Sequence, residues 1–153
     1  MKSTVTVVIV ATAFVLGIGS EARAGQNERC ANASLRGSFG YTSTGNLLPA
    51  YAQPPFAGPF AEIGRQTFDG RGNTEATATL SANGNIVRVT IVGTYAVNPD
   101  CTGVMTLDVS PLGLRVNADF VIVRDGAEFG AIATDPGVVE TRVYKKQVRS
   151  VRR

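Results

Sequence analysis

The chain has 153 residues, of which 44% are hydrophobic and 18% charged, with a formal net charge of +3, two cysteines, no tryptophan and no histidine. That length is one domain's worth and enough for a real core. The lack of histidine excludes the commonest general base, the usual catalytic triads and most zinc or copper sites.

In chain order, residues 1–24 read as a secretory signal. Lys2 gives a short positive region, residues 4–19 are apolar and uncharged, and Ala22, Arg23 and Ala24 fit a small-x-small cleavage pattern. The apolar run is shorter than the roughly 20 residues that span a bilayer, so no stable membrane insertion is expected after cleavage. A secreted or periplasmic chain meets an oxidising compartment, so Cys30 and Cys101 are expected to pair as a disulfide. Closing that loop of about seventy residues contributes roughly 4 kcal/mol on the chain-entropy account. The triplet Asn32, Ala33, Ser34 matches a glycosylation acceptor and reads as incidental.

From residue 25 to 147 no amphipathic helical period stands out. Short runs rich in Val, Ile, Thr, Phe and Tyr alternate with turn signals, and predict strands over 35–44, 61–68, 74–81, 86–97, 102–109, 114–124, 127–134 and 138–147. The separators suit turns: Asp69 to Asn73 (DGRGN), Ala82 to Asn85 (ANGN), Asp125–Gly126, and Asp135 to Gly137 (DPG). The segment FDGRGN lacks the spaced oxygen ligands of a calcium loop, and Arg71 would repel a cation, so it is a hairpin turn and no metal is expected. Short connections force sequential antiparallel pairing. The fold class expected is all-β, an antiparallel meander of about eight strands closed or nearly closed into a barrel, because closure removes exposed edges.

The exception to the short turns is 45–60, GNLLPAYAQPPFAGPF, with four prolines and the apolar residues Leu47, Leu48, Tyr51, Phe56 and Phe60. A long loop of this composition packs on something. It is either a cover over one barrel mouth, with those five residues as ligand contacts, or a plug that completes the core.

Period two places Glu62 with Gln66 and Phe68, and Arg65 with Ile63. It likewise places Glu140, Arg142 and Tyr144 on one face, opposite Val139, Thr141 and Val143. The simplest reading sets every charge on the outward half of its strand. The alternative is a polar lumen in which Glu62, Arg65, Glu140 and Arg142 act as acid, base or oxyanion partners. Five of the basic residues (Lys145, Lys146, Arg149, Arg152, Arg153) lie in the last nine positions, so residues 148–153 form a basic tail on a net acidic body. Such a body, without basic and aromatic residues interleaved on one face, is not expected to bind nucleic acid.

The segments PFAEIGRQTFDGRGN, GTYAVNPDCTGVMTL and ADFVIVRDGAEFGAIATDPGVVE, together with Cys30, Leu35 and Gly37, resemble a group of small exported bacterial proteins of unassigned activity. Those are similar in plan to allene oxide cyclase-like barrels of the calycin type. The resemblance implies a barrel with a cysteine pair. It carries no catalytic residues over, and any enzyme assignment from it is analogy at the level of the fold. The expectation is an exported, disulfide-stapled barrel that binds a small apolar or amphipathic molecule in its lumen without a cofactor. The alternatives are a cofactor-free cyclase or isomerase, and a structural or interaction protein with a filled barrel. The oligomeric state is left open.

Overall fold

A computed structural model describes residues 29–148 of the chain. The expected signal segment and the last five residues of the basic tail lie outside the described residues. Eight strands follow in order: β1 (Gly37–Leu47), β2 (Gly58–Phe68), β3 (Asn73–Ala82), β4 (Asn85–Val97), β5 (Thr102–Ser110), β6 (Leu114–Val123), β7 (Glu128–Ala133) and β8 (Val138–Lys146). Each pairs antiparallel with the next, and β8 pairs with β1 to close the barrel. The fold is the expected all-β meander, and closure gives every strand a partner on each side.

Two strands differ from the sequence reading by more than one residue at an end. The first strand starts later and runs further than 35–44, because a 3-10 turn, Asn32–Leu35, precedes it and buries Leu35. The second starts at Gly58 rather than 61, so the proline-rich connection shrinks to residues 48–57. Leu47 and Phe60 are therefore strand residues whose side chains are buried.

Alternation along each strand builds the core. Phe39 and Tyr41, Phe68, Leu80, Ile91, Leu107, Phe120, Phe129 and Tyr144 face inward, while Ile63, Val92, Val104 and Val143 are exposed on the barrel wall. One end of the barrel is aromatic. Phe39, Phe68 and Phe129 meet edge-on at centroid distances of 5.3–5.5 Å, and Phe129 stacks on Tyr144 at 4.0 Å. Fully buried rings in edge and offset contact add to the stabilisation given by area alone. Gly103 makes room for one of them: a Cβ there would lie 2.2 Å from the Phe120 ring.

The same end carries the disulfide between Cys30 and Cys101, residues 71 apart with Cα atoms 4.9 Å apart. The chain before β1 is thereby tied to the β4–β5 turn. Asn32 of the glycosylation-like triplet is occupied structurally: its Oδ1 accepts from the Val97 N–H at 2.8 Å. In the β2–β3 turn Asp69 Oδ1 accepts from the N–H groups of Arg71, Gly72 and Asn73. With a further bond from the Asn73 side chain, these donors hold its carboxyl down at about 2. In the β4–β5 turn Asp100 is bonded by the Thr102 N–H and hydroxyl. The first is the DGRGN hairpin turn read from the sequence.

Candidate functional site

The register of the closing seam assembles a polar group inside the barrel. Arg142 of β8 is opposite Ser43 of β1, and Ser43 is opposite Glu62 of β2. These three inward positions thus form one row across three strands. In the adjacent rows Tyr144, Tyr41 and Gly64 lie toward the aromatic end, and Glu140, Gly45 and Phe60 toward the other. Ser43, Glu62, Gln66, Thr74, Glu140 and Arg142 are buried polar residues among the described residues, all drawn from β1, β2, β3 and β8.

Most of the group is paired. The Tyr41 hydroxyl donates to Glu62 Oε1, and Arg142 Nε donates to Glu140 Oε1. Ser43 Oγ donates to the same Glu140 oxygen at 2.6 Å. Tyr144 donates to Gln66 Oε1 at 3.0 Å, and Gln66 Nε2 in turn donates to Thr74 Oγ1 at 2.9 Å. The Arg142 guanidinium also lies over the Tyr41 ring, 5.4 Å from its centroid. Gly64 leaves the space that ring needs, since a Cβ there would sit 2.7 Å from Tyr41 Cε1. Among the described residues, one buried side-chain nitrogen has no partner: Nη1 of Arg142, a residue only 4% exposed.

Burial sets the electrostatics. It pushes the Glu62 carboxyl above its ordinary value, with the Arg142 charge countering only in part. It likewise drives the Tyr41 hydroxyl far up, with help from Glu62, and the Tyr144 hydroxyl to about 12. Burial acts to lower Arg142, but the oxygens of Tyr144, Glu140, Glu62 and Tyr41 outweigh it and keep the guanidinium charged.

The structure thus places Glu62, Glu140 and Arg142 inside the lumen and brings them together. For these three, the simplest reading, that every charge faces outward, is overturned. Arg65 is the opposite correction to the polar-lumen set. An odd number of residues from Glu62, it projects outward, is exposed, and bonds Gln147 and Ser38 outside the barrel. Sequence reasoning missed Tyr41 and Ser43, whose β1 parity with Phe39 was the available signal.

The segment 48–57 lies across the barrel end opposite the disulfide. Ala52 joins the core, and Tyr51 and Phe56 pack against it half-buried, whereas Leu48 is 45% exposed. Of the five proposed ligand contacts, then, Leu47 and Phe60 line the lumen, Tyr51 and Phe56 press on its mouth, and Leu48 faces away. Hydrogen bonds hold the segment down. The Tyr51 hydroxyl donates to the Arg115 carbonyl, Leu48 N–H to the Gly137 carbonyl, and the Asn83 and Asn85 side chains to the Pro55 carbonyl.

A concavity of about 700 Å³ lies elsewhere, on the outer wall of β5–β8 around Gly130, between Val104, Val121, Ile132 and Val143. It is an open furrow left by a residue without a side chain, and Asp119 is its one outward carboxylate. The lumen, where buried polar side chains converge, is the better candidate.

No protein-family model matches the chain, and a search of curated proteins finds none similar. Among solved structures the chain is similar to a redesigned β-barrel, at 16% identity and TM-score 0.55, over 77% of this chain and 96% of that one. It is also similar to EF1p2_mFAP2b bound to DFHBI, at 15% identity and TM-score 0.55, over 80% of this chain and all of that one (100%). At these identities the likeness is one of fold: the chain is a closed β-barrel stapled by the Cys30–Cys101 disulfide.

Proposed function

We propose that the protein is an exported barrel that takes a small apolar or amphipathic molecule into its lumen beneath the segment 48–57, with the Glu62–Glu140–Arg142 group at the polar end of the site. The observation that carries this reading is the unpartnered, buried Arg142 Nη1. Burying a guanidinium and two carboxylates in an otherwise apolar barrel costs stability that apolar side chains of similar volume would not. Departures of this kind from an apolar core concentrate at functional sites. EF1p2_mFAP2b, similar in fold, is bound to DFHBI, which supports the capacity of this architecture for a small ligand. The disulfide accords with an oxidising, extracytoplasmic location. In the cyclase or isomerase form of the reading, drawn from the allene oxide cyclase-like resemblance, the Tyr41–Glu62 pair is the proton-handling couple beside the Arg142 cation.

As described, the lumen is closed, with its largest side chains fully buried. A ligand must therefore lift the cap, whose bonds to Arg115, Gly137, Asn83 and Asn85 lie outside the β-ladders and are the ones that open at least cost. The same close packing favours a second reading, a filled barrel that acts through its outer surface. Native mass spectrometry of protein purified from its own host separates the two. A bound small molecule, whose presence slows amide exchange in β1, β2 and β8, is the expected result. A ligand-free protein that also takes up no added apolar probe would establish the filled barrel.

A further inference from the structure

The polar group also restricts what the ligand can carry at its polar end, an inference that rests on the lumen-binding reading above. Among the described residues, the fully enclosed side-chain polar atom without a partner is a donor. Arg142 Nη1 needs an acceptor, and an arginine nitrogen can serve no other way. An alkyl ammonium has no lone pair to offer and would bring a second cation to the guanidinium. A basic head group therefore leaves Nη1 unsatisfied.

A carboxylate, phosphate or sulfate fails for a different reason. Arg142 is already paired through Nε with Glu140, and Glu62 follows one strand further along the same row, beyond Ser43. Two carboxyl groups thus stand beside one guanidinium. An anion reaching Nη1 would lie close to Glu140 in a site of low dielectric, where like charges strongly oppose each other. The head group is an oxygen acceptor without charge.

Among uncharged oxygens, a carbonyl fits the bonds already made. The Tyr41 and Ser43 hydroxyls are committed as donors to Glu62 and Glu140, so Arg142 Nη1 is the enclosed donor left for the ligand. A carbonyl oxygen has two lone pairs and no proton to place. Toward the capped mouth the walls are Leu47, Phe60, Ala82 and Val138, with Ala52 of the cap above them, which is hydrocarbon surface throughout. We infer that the lumen binds an uncharged carbonyl compound (a ketone, aldehyde or ester with an apolar body), its carbonyl oxygen accepting from Arg142 Nη1.

Three probes with the same apolar body test this: undecane, 2-undecanone and undecanoate. For the wild-type protein, 2-undecanone is expected to bind about tenfold or more tightly than either of the others, the size of one hydrogen bond to a charged donor. In the E62Q/E140Q/R142M variant, which removes both carboxyl groups together with the guanidinium and leaves no lone buried charge, that advantage over undecane is expected to vanish while undecane binding persists. A second readout needs no variant: the carbonyl stretch of 13C-labelled 2-undecanone moves to lower frequency on binding wild-type protein when a guanidinium donates to it. Undecanoate binding as tightly as the ketone overturns the inference, as does a carbonyl stretch that stays at its value in hydrocarbon. Undecane and 2-undecanone binding equally well would overturn the head-group assignment and leave the lumen reading standing. If none of the three binds, the lumen reading fails and this inference with it.

Discussion

The two ends of the barrel are closed by different means. At one end a disulfide, a 3-10 turn that buries Leu35 and a cluster of edge-on aromatic rings seal the lumen with covalent and apolar contacts. At the other, ten residues rich in proline lie over the mouth and are held by hydrogen bonds to neighbouring turns and to β6. The charged groups sit between the two, one or two rows above the aromatic floor. Stability is concentrated where the chain is stapled. The groups that cost stability lie toward the end that opens most readily, the arrangement expected if the second end serves a ligand.

The largest test of this contrast removes a charge or a ring. Arg142→Met is expected to destabilise by about 3–5 kcal/mol in denaturant unfolding, because Glu140 is left buried without its partner. The E62Q/E140Q/R142M triple variant, which leaves no buried charge behind, should recover most of that loss, and failure to recover would mean that the group is structural rather than functional. Phe129→Ala at the aromatic floor should cost about as much, 3–5 kcal/mol by loss of buried area and the cavity left behind, with no second-site rescue of this kind.

Next in size is the staple. Replacing Cys30 and Cys101 with serine should lower the unfolding free energy by roughly 3–4 kcal/mol, and should speed amide exchange in the chain before β1 and in the β4–β5 turn more than in segment 48–57.

A smaller effect concerns Glu62. Its carboxyl is raised in the folded protein from an ordinary value of 4.5, so folding favours the protonated form. The stability this gives is complete below the unfolded-state value and is lost as pH rises through the folded-state value. Unfolding free energy of the wild type should therefore fall from about pH 4 upward across that window, and Glu62→Gln should flatten the fall. An equal slope in the variant would assign the effect to another group.

The smallest change in stability, about 1 kcal/mol or less, is expected for Tyr51→Phe, which removes one bond of the cap to the Arg115 carbonyl. Its effect should appear instead as faster exchange of cap amides and faster ligand uptake. Unchanged rates would show that the cap is not what gates the lumen.

The period-two alternation and the turn residues made the barrel legible in advance: strand order, the DGRGN and DPG turns and the placing of Glu62 with Gln66 and Phe68 all follow from local chemistry. Local chemistry misread β8. Its valines, Val139 and Val143, invite burial, yet they are exposed, and Glu140 and Arg142 go inside. The larger side chain decides the face: Tyr144 shares the parity of Arg142, and its ring fills the floor against Phe129. The exposed valines lose less than that ring would. The 3-10 turn before β1 was equally invisible, since Asn32 earns its place only by bonding β4, far along the chain.

By itself, then, the sequence determined an all-β chain of short antiparallel strands, a cysteine pair able to bridge, and a proline-rich connection unlike the other turns. Those features depend on neighbours within a few residues, and a short window contains them. The tertiary structure alone decided that charge is buried and where. Ser43 and Glu140 are 97 residues apart and meet only because β8 closes on β1 in one register. Slipping that pairing by one residue would turn the charged face of β8 to solvent. The candidate site is a property of barrel closure, and no segment of the chain contains it.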